Sequence, residues 1–230
     1  MSKVRNGFKL RSSIQVLLPF MALAVSSLSL ADDWPRTITD ANGYSVKLAA
    51  PSVRSAPLPP PLGTFAVAIS GGIDRIATVH PWSQAVMEEG SLNNYFPGIA
   101  KLSTGAIDAG FMPNVEALLA VDPDLVFQVG FMGDDVLKPI TAVGLPLLTI
   151  NVTAQDDARD WIHMMGQVYG EETRAQQILD WRDRVQAQIT EALQGLPLDK
   201  RPRVAHLSAY GEQLRIVGGK HFRSWQIERG

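Results

Sequence analysis

Four histidines, His80, His163, His206 and His221, are the first residues to consider for acid–base or metal chemistry, and they lie far apart in the chain. No two have the HxxxH or HxH spacing that sets a pair of imidazoles on one metal. His163 falls within a helical pattern, where a solvated ring is the simple reading. The chain has no cysteine, which removes thiolate ligands, thiol nucleophiles and disulfides together. There is no GxSxG turn and no Walker loop, and Gly71-Gly72 suits a helix C-cap better than a phosphate cradle. Asp122 and Asp124 flank Pro123 at a turn, where short acids favour local hydrogen bonds over paired-carboxylate catalysis. No nucleophile–base set assembles. The remaining candidates are bulky and mostly uncharged: His80, Trp82, Tyr95, Phe131 and Met132, with Tyr210 and Trp225 farther along. Such side chains suit a large, partly apolar ligand, although Trp82 and Phe131 could each equally be core aromatics.

The elements that would position them follow from periodicity and turn chemistry. Asn42-Gly43, between Thr37–Asp40 and Tyr44–Leu48, predicts a hairpin, because both turn positions must tolerate positive φ. A short strand over Val53–Ala56 leads into the stiff Pro59-Pro60-Pro61 segment, and Leu62–Ser70 reads as a helix. Arg75–Val79 and Lys101–Ser103 read as strands, with a helix over Ser83–Glu89 between them. In FMPNVEALLAVDPDLVF, Pro113 suits the first turn of a helix whose face is Val115, Leu118 and Leu119. Leu125–Val129 then reads as a buried strand. A helix over Asp134–Val143 and a strand over Pro146–Val152 complete the alternation, which implies a mainly parallel α/β sheet. In such sheets ligands bind outside the carboxyl ends of the strands. That rule selects Pro59, Pro60, His80, Trp82, Thr104, Gly105, Gly130, Phe131 and Met132.

Beyond the sheet, Trp161, Met164, Met165 and Val168 form one helical stripe. A second runs through Ala175, Ile178, Leu179, Arg182, Val185, Ile189 and Leu193, long enough at about 1.5 Å per residue to cross a whole lobe. Arg203–Ser208 and Leu214–Val217 read as a strand and its hairpin partner. The expected organisation is a hairpin over 32–50, an α/β lobe over 51–152, a helical region with a long connecting helix over 153–196, and the start of a second, truncated lobe over 197–230.

Lys3, Arg5, Lys9 and Arg11 precede the apolar run Ile14–Leu30, and Ser29-Leu30-Ala31 has the small-x-small form of a cleavage site. Residues 1–31 therefore read as a secretory signal peptide. An uncleaved anchor is the alternative, since about 17 apolar residues almost span a bilayer, but Pro19 and the serines near the end of the run argue against it. Removing the segment takes four of the 21 basic residues and no acid, leaving 17 against 23, a net charge of −6. An acidic chain is a poor partner for nucleic acid.

TDANGYSVKL, GGIDRIATV, PNVEALLAVDPDLVF, GLPLLTINV, GEETRAQQILDWRDRV and RVAHLSAYGEQLRIVGG together resemble the periplasmic substrate-binding proteins of ABC importers for ferric siderophores, haem and cobalamin. The likeness spans residues 36–227 and is most specific in the Asn-x-Glu-x-Leu-Leu and Pro-Asp-Leu-Val block. It implies two α/β lobes joined by one long helix, with the ligand in the cleft, no cofactor and no enzymatic activity. It also implies a role for Glu116, which in this family pairs with arginines of the membrane permease; a helix N-terminal charge is the plain alternative. The expected protein is a monomeric periplasmic carrier of a metal chelate, without a lipid anchor because it has no cysteine. An exported α/β hydrolase and a direct metal-ion binder are the alternatives. The family continues through a full second lobe, which this sequence begins and does not complete.

Overall fold

The computed structural model describes residues 34–201 except Ala109 and Gln155, together with 206–209 and 215–217. The expected signal peptide and the candidates Tyr210 and Trp225 lie outside the described residues.

The Asn-Gly signal makes its hairpin. β1 (Arg36–Thr39) pairs antiparallel with β2 (Ser45–Leu48), but only Gly43 takes a positive φ, 88°, and Asn42 does not. The Gly43 N–H closes a turn on the Asp40 carbonyl and the glycine alone is left-handed, a longer loop than the two-residue turn expected. Asp40 fastens that turn to the rest of the molecule. Its buried carboxylate accepts from the N–H groups of Asn42 and Tyr44, both at 2.9 Å. It also accepts from the N–H of Thr149 at 2.5 Å and its hydroxyl at 2.6 Å.

The central sheet is parallel. β3 (Ser55–Pro57) lies beside β4 (Leu125–Val129), which lies beside β5 (Leu147–Ile150). All five residues of β4 are buried, as a strand covered on both faces requires. Parallel bridges from Ser55 to Ile76 and from Thr78 to Ser103 extend the sheet on the far side of β3. The chain thus winds outward from β3 in one direction and returns to β4 on its other side, a doubly wound order. The strands expected over Arg75–Val79 and Lys101–Ser103 shrink to these bridges. Over the second of them, Ile99–Lys101 forms a 3-10 turn, in which the Lys101 and Leu102 N–H groups bond back to Gly98 and Ile99 instead of to a ladder.

Helices cover both faces: α1 (Pro60–Ser70), α2 (Pro81–Glu89), α3 (Leu92–Tyr95), α4 (Val115–Val121), α5 (Asp134–Ala142), α6 (Asp157–Tyr169) and α7 (Glu172–Leu193). Leu62, Ala66, Trp161, Met165 and Leu179 pack with Phe127, Leu148 and Ile150 on one face. Leu118, Val136, Leu137 and Ile140 pack with Val126 and Leu147 on the other. Successive residues of β4 therefore feed opposite cores, the period-2 rule at work.

Three local expectations need correcting. α1 starts at Pro60, not Leu62, because prolines at its first two positions lose only N–H groups that a first turn leaves unpaired anyway. Pro113 lies outside α4, whose cap is Asn114, with its side chain accepting from the Ala117 N–H at 3.0 Å; Leu118 is buried, but Leu119 faces solvent. Asp124 makes no local turn bond. It accepts from the Ser52 hydroxyl at 2.5 Å and from the N–H groups of Val53 and Arg54 at 2.7 and 3.0 Å, tying the entrance of β3 to the entrance of β4.

α6 and α7 form an antiparallel pair. Gly170 turns the chain in the left-handed region, and Gly166 lets the helices touch, since a Cβ there would lie 2.7 Å from that of Ala175. α7 has 22 residues, a length of about 33 Å. Its stripe is buried at Ala175 and Leu179 but exposed by Ile189, so the cover from this unit ends partway along the helix. Past it, β6 (His206–Ala209) and β7 (Arg215–Val217) pair antiparallel, as the sequence predicts.

Tyr169 closes the base of the sheet. Its fully buried ring places the hydroxyl 2.6 Å from the Ser55 hydroxyl, and burial holds its pKa well above the usual phenol value. Tyr169→Phe should cost about 1 kcal/mol, the net worth of one buried neutral hydrogen bond, read as a lower urea midpoint at unchanged slope. An unchanged midpoint would contradict this.

Candidate ligand-binding site

The carboxyl ends of the strands gather the loops at 58–62, 80–83, 104–112 and 130–135 at one end of the sheet. The winding reverses between β3 and β4, so Leu58-Pro59-Pro60 and Gly130-Phe131-Met132 border the crevice where such folds bind ligands.

His80 is the N-cap of α2. It is 4% exposed, and its Nδ1 accepts from the Trp82 N–H at 3.0 Å, which places the proton of the neutral ring on Nε2. Burial lowers its pKa, and the backbone and carboxylate of Asp108 only partly offset this, so the ring is uncharged at neutral pH. Its face packs against Phe111, with ring centroids 5.0 Å apart. With the backbone of Trp82 fixed by the cap, its side chain projects outward, 62% exposed. Ser83, one residue on, donates to the Pro60 carbonyl at 2.8 Å and joins the α1 and α2 loops.

Phe131 is 61% exposed on the short turn after β4. Met132 behaves differently: it is partly buried and packs against both cores, a wedge under the rim rather than a free contact. Gly130 has no room for a side chain, because a Cβ there would lie 2.3 Å from the Asn42 amide nitrogen. That amide bonds to the Thr149 hydroxyl at 2.8 Å and to Asn151 at 3.1 Å, so the N-terminal hairpin braces the edge.

Phe111 and Met112 join this surface although sequence reasoning did not select them. Phe111 adopts a φ of 69°, rare for an aromatic residue. Asp108 holds it there, its carboxylate accepting from the N–H groups of Gly110 and Met112 at 2.8 and 2.9 Å. The available signal was the turn-rich run Gly105 to Gly110, which leaves the next residues at a loop tip rather than in a helix.

Tyr95 does not belong to this edge. It is 76% exposed in a lateral groove of about 490 Å³ with Phe65, Phe96, Ile178 and Trp181, formed by α1, α3 and α7. The Thr104–Gly105 loop lies at the edge but brings only small side chains to it. His163 is exposed on α6, as expected. Among the described residues no three His, Asp or Glu side chains converge as a metal-ligand set. Glu116 is exposed in the first turn of α4, which starts directly after the 104–112 loop, and has no ion pair among the described residues. It therefore stands at the same end of the unit as Trp82 and Phe131.

Residues 85–223, more than half of the chain, match a family described as periplasmic binding protein. The chain belongs to the periplasmic binding protein family. None of the curated proteins matches the sequence. Among solved structures, a periplasmic solute binding protein from Veillonella parvula is 21% identical with a TM-score of 0.65, the match covering 71% of this chain and 50% of that one. The molybdate periplasmic binding protein MolA of Haemophilus influenzae is 18% identical at a TM-score of 0.60, covering 72% of this chain and 56% of that one. The heme binding protein HmuT is 19% identical at 0.61, covering 95% and 66%. This periplasmic binding protein thus shares their fold while spanning half to about two thirds of their length. The family consists of solute-binding proteins, not enzymes.

Proposed function

We propose that this protein is the extracytoplasmic solute-binding component of an ABC importer, carrying a metal chelate such as a ferric siderophore, and presenting it to a membrane permease. One observation carries the ligand class. Trp82, Phe131 and Met112 stand exposed at the crevice edge, and among the described residues no metal-ligand cluster accompanies them, which suits a bulky preformed complex better than a bare ion. The resemblance of the family block around Glu116 supports the importer role, and the 51–152 region serves as the first ligand-bearing lobe, with α7 as the connecting helix. Calorimetric titration of the full chain with ferric siderophores tests the reading. Saturable binding is expected; the absence of heat with hydroxamate, catecholate and haem ligands alike would contradict it.

Permease docking is assigned to Glu116. Glu116→Lys should leave chelate affinity within about twofold, since an exposed charge outside the crevice contributes little to binding there. It should slow uptake through the importer about tenfold or more, because a like charge facing permease arginines reverses the complementarity that guides docking. Equal uptake by mutant and wild type would return Glu116 to a plain helix-terminus charge.

A further inference from the structure

We infer that the crevice edge is built to exclude anions and takes a chelate that is neutral or positively charged. The inference rests on the chelate-binding reading above and names the ligand class within it.

Two independent features support it. The loops 58–62, 80–83, 104–112, 130–135 and 151–157 contain no lysine or arginine; their charged residues are Asp108, Asp134, Asp135, Asp156 and Asp157. Two cations on the helices that follow these loops are engaged: Lys138 with Asp134 at 2.8 Å and Arg159 with Asp183 at 2.6 Å.

The second feature concerns the helix N-termini. In a parallel α/β sheet these converge on the carboxyl edge, and their unpaired N–H groups are the usual anion site. Here α1, α2 and α4 have first-turn donors removed or occupied, whereas α5 and α6 carry no side-chain cap and have acidic residues in the first turn instead. α1 begins Pro60-Pro61, which have no N–H, and the Leu62 N–H bonds to the Pro59 carbonyl at 3.0 Å. α2 begins with Pro81, and the Trp82 N–H is taken by His80. At α4 the Asn114 side chain takes the Ala117 N–H. α5 places the carboxylates of Asp134 and Asp135 in its own first turn. Before α6, the Asp157 carboxylate accepts from the N–H groups of Thr153 and Ala154 at 2.6 and 2.7 Å.

An anion brought against Trp82 and Phe131 would lose water and meet no lysine or arginine of these loops. The one unpartnered imidazole donor, His80 Nε2, is buried beneath the surface, so the loss is costly. A cation meets aromatic faces and a rim of carboxylates, both attractive. A neutral complex with an apolar periphery pays neither penalty.

The test uses one linear ferric trihydroxamate in two forms, its terminal amine free or succinylated, so that size and metal core match while the charge changes sign. Titrated against the full chain at low salt, the amine form should bind about fivefold tighter, a gap of the size expected for charges several ångströms apart in a partly hydrated cleft. The gap should narrow as salt is added. Asp135→Lys, at an exposed position without a hydrogen-bonding partner among the described residues, should shrink the preference about threefold. Equal or tighter binding of the succinylated form overturns the inference and leaves the chelate-binding reading standing. Binding of neither form, nor of any other ferric siderophore, overturns both.

Discussion

Asp40→Ala should lower the stability of the fold by about 3 kcal/mol or more, the largest loss expected from any single polar substitution here. Its carboxylate receives four hydrogen bonds, from the N–H groups of Asn42, Tyr44 and Thr149 and from the Thr149 hydroxyl. Alanine removes every acceptor and leaves the Thr149 N–H buried without a partner, which is dearer than losing a bond that water can replace. The turn would then release Asn42 from Gly130 and Asn151, so the damage should reach the crevice edge. Asp40→Asn keeps one acceptor oxygen and should cost roughly half as much. Urea unfolding of the full chain measures both. A loss below about 1 kcal/mol for the alanine variant would show that the hairpin is an accessory, not a brace.

Trp82→Ala should weaken chelate binding by about 2 kcal/mol, roughly thirtyfold in Kd, because an aromatic anchor in a desolvated centre carries that much of a binding site. The variant is clean for a structural reason. The bond that caps α2 uses the Trp82 backbone N–H, which alanine retains, and the indole is mostly exposed in the free chain, so folding should change little. Trp181→Ala, in the lateral groove, is the control and should leave affinity unaltered. Unchanged titration of Trp82→Ala would remove Trp82 from the site.

Features written in local chemistry were legible from sequence. The hairpin at Asn42-Gly43 is legible because a glycine is needed at its one left-handed position, and Leu125–Val129 because a strand covered on both faces is mostly apolar. The α6 stripe at Trp161, Met164, Met165 and Val168 is buried along its whole length. What escaped depended on distant partners. Whether Arg75–Val79 pairs along its length or at single residues is set by neighbours far along the chain. Asp124 looked like a turn acid, yet its partners are about seventy residues away. Tyr95 was grouped with the crevice because an aromatic near a strand–helix unit gives no sign of which side it will face; α3 carries it to the lateral groove. Phe111 is not legible from sequence, because its packing on His80 depends on a positive φ held by Asp108, and nothing in an aromatic residue announces that conformation. His80 and Trp82 open α2, and the cap that orders them is visible only once Pro81 is seen to start a helix.

The most direct test of the account is hydrogen–deuterium exchange of the full chain with and without the amine-terminated ferric trihydroxamate, since amide protection reports where a ligand orders or covers backbone. The account predicts slower exchange in the loops at 80–83, 104–112 and 130–135, with little change around Tyr95 and Trp181. Saturable binding with protection confined to the lateral groove, and none in those loops, would contradict it.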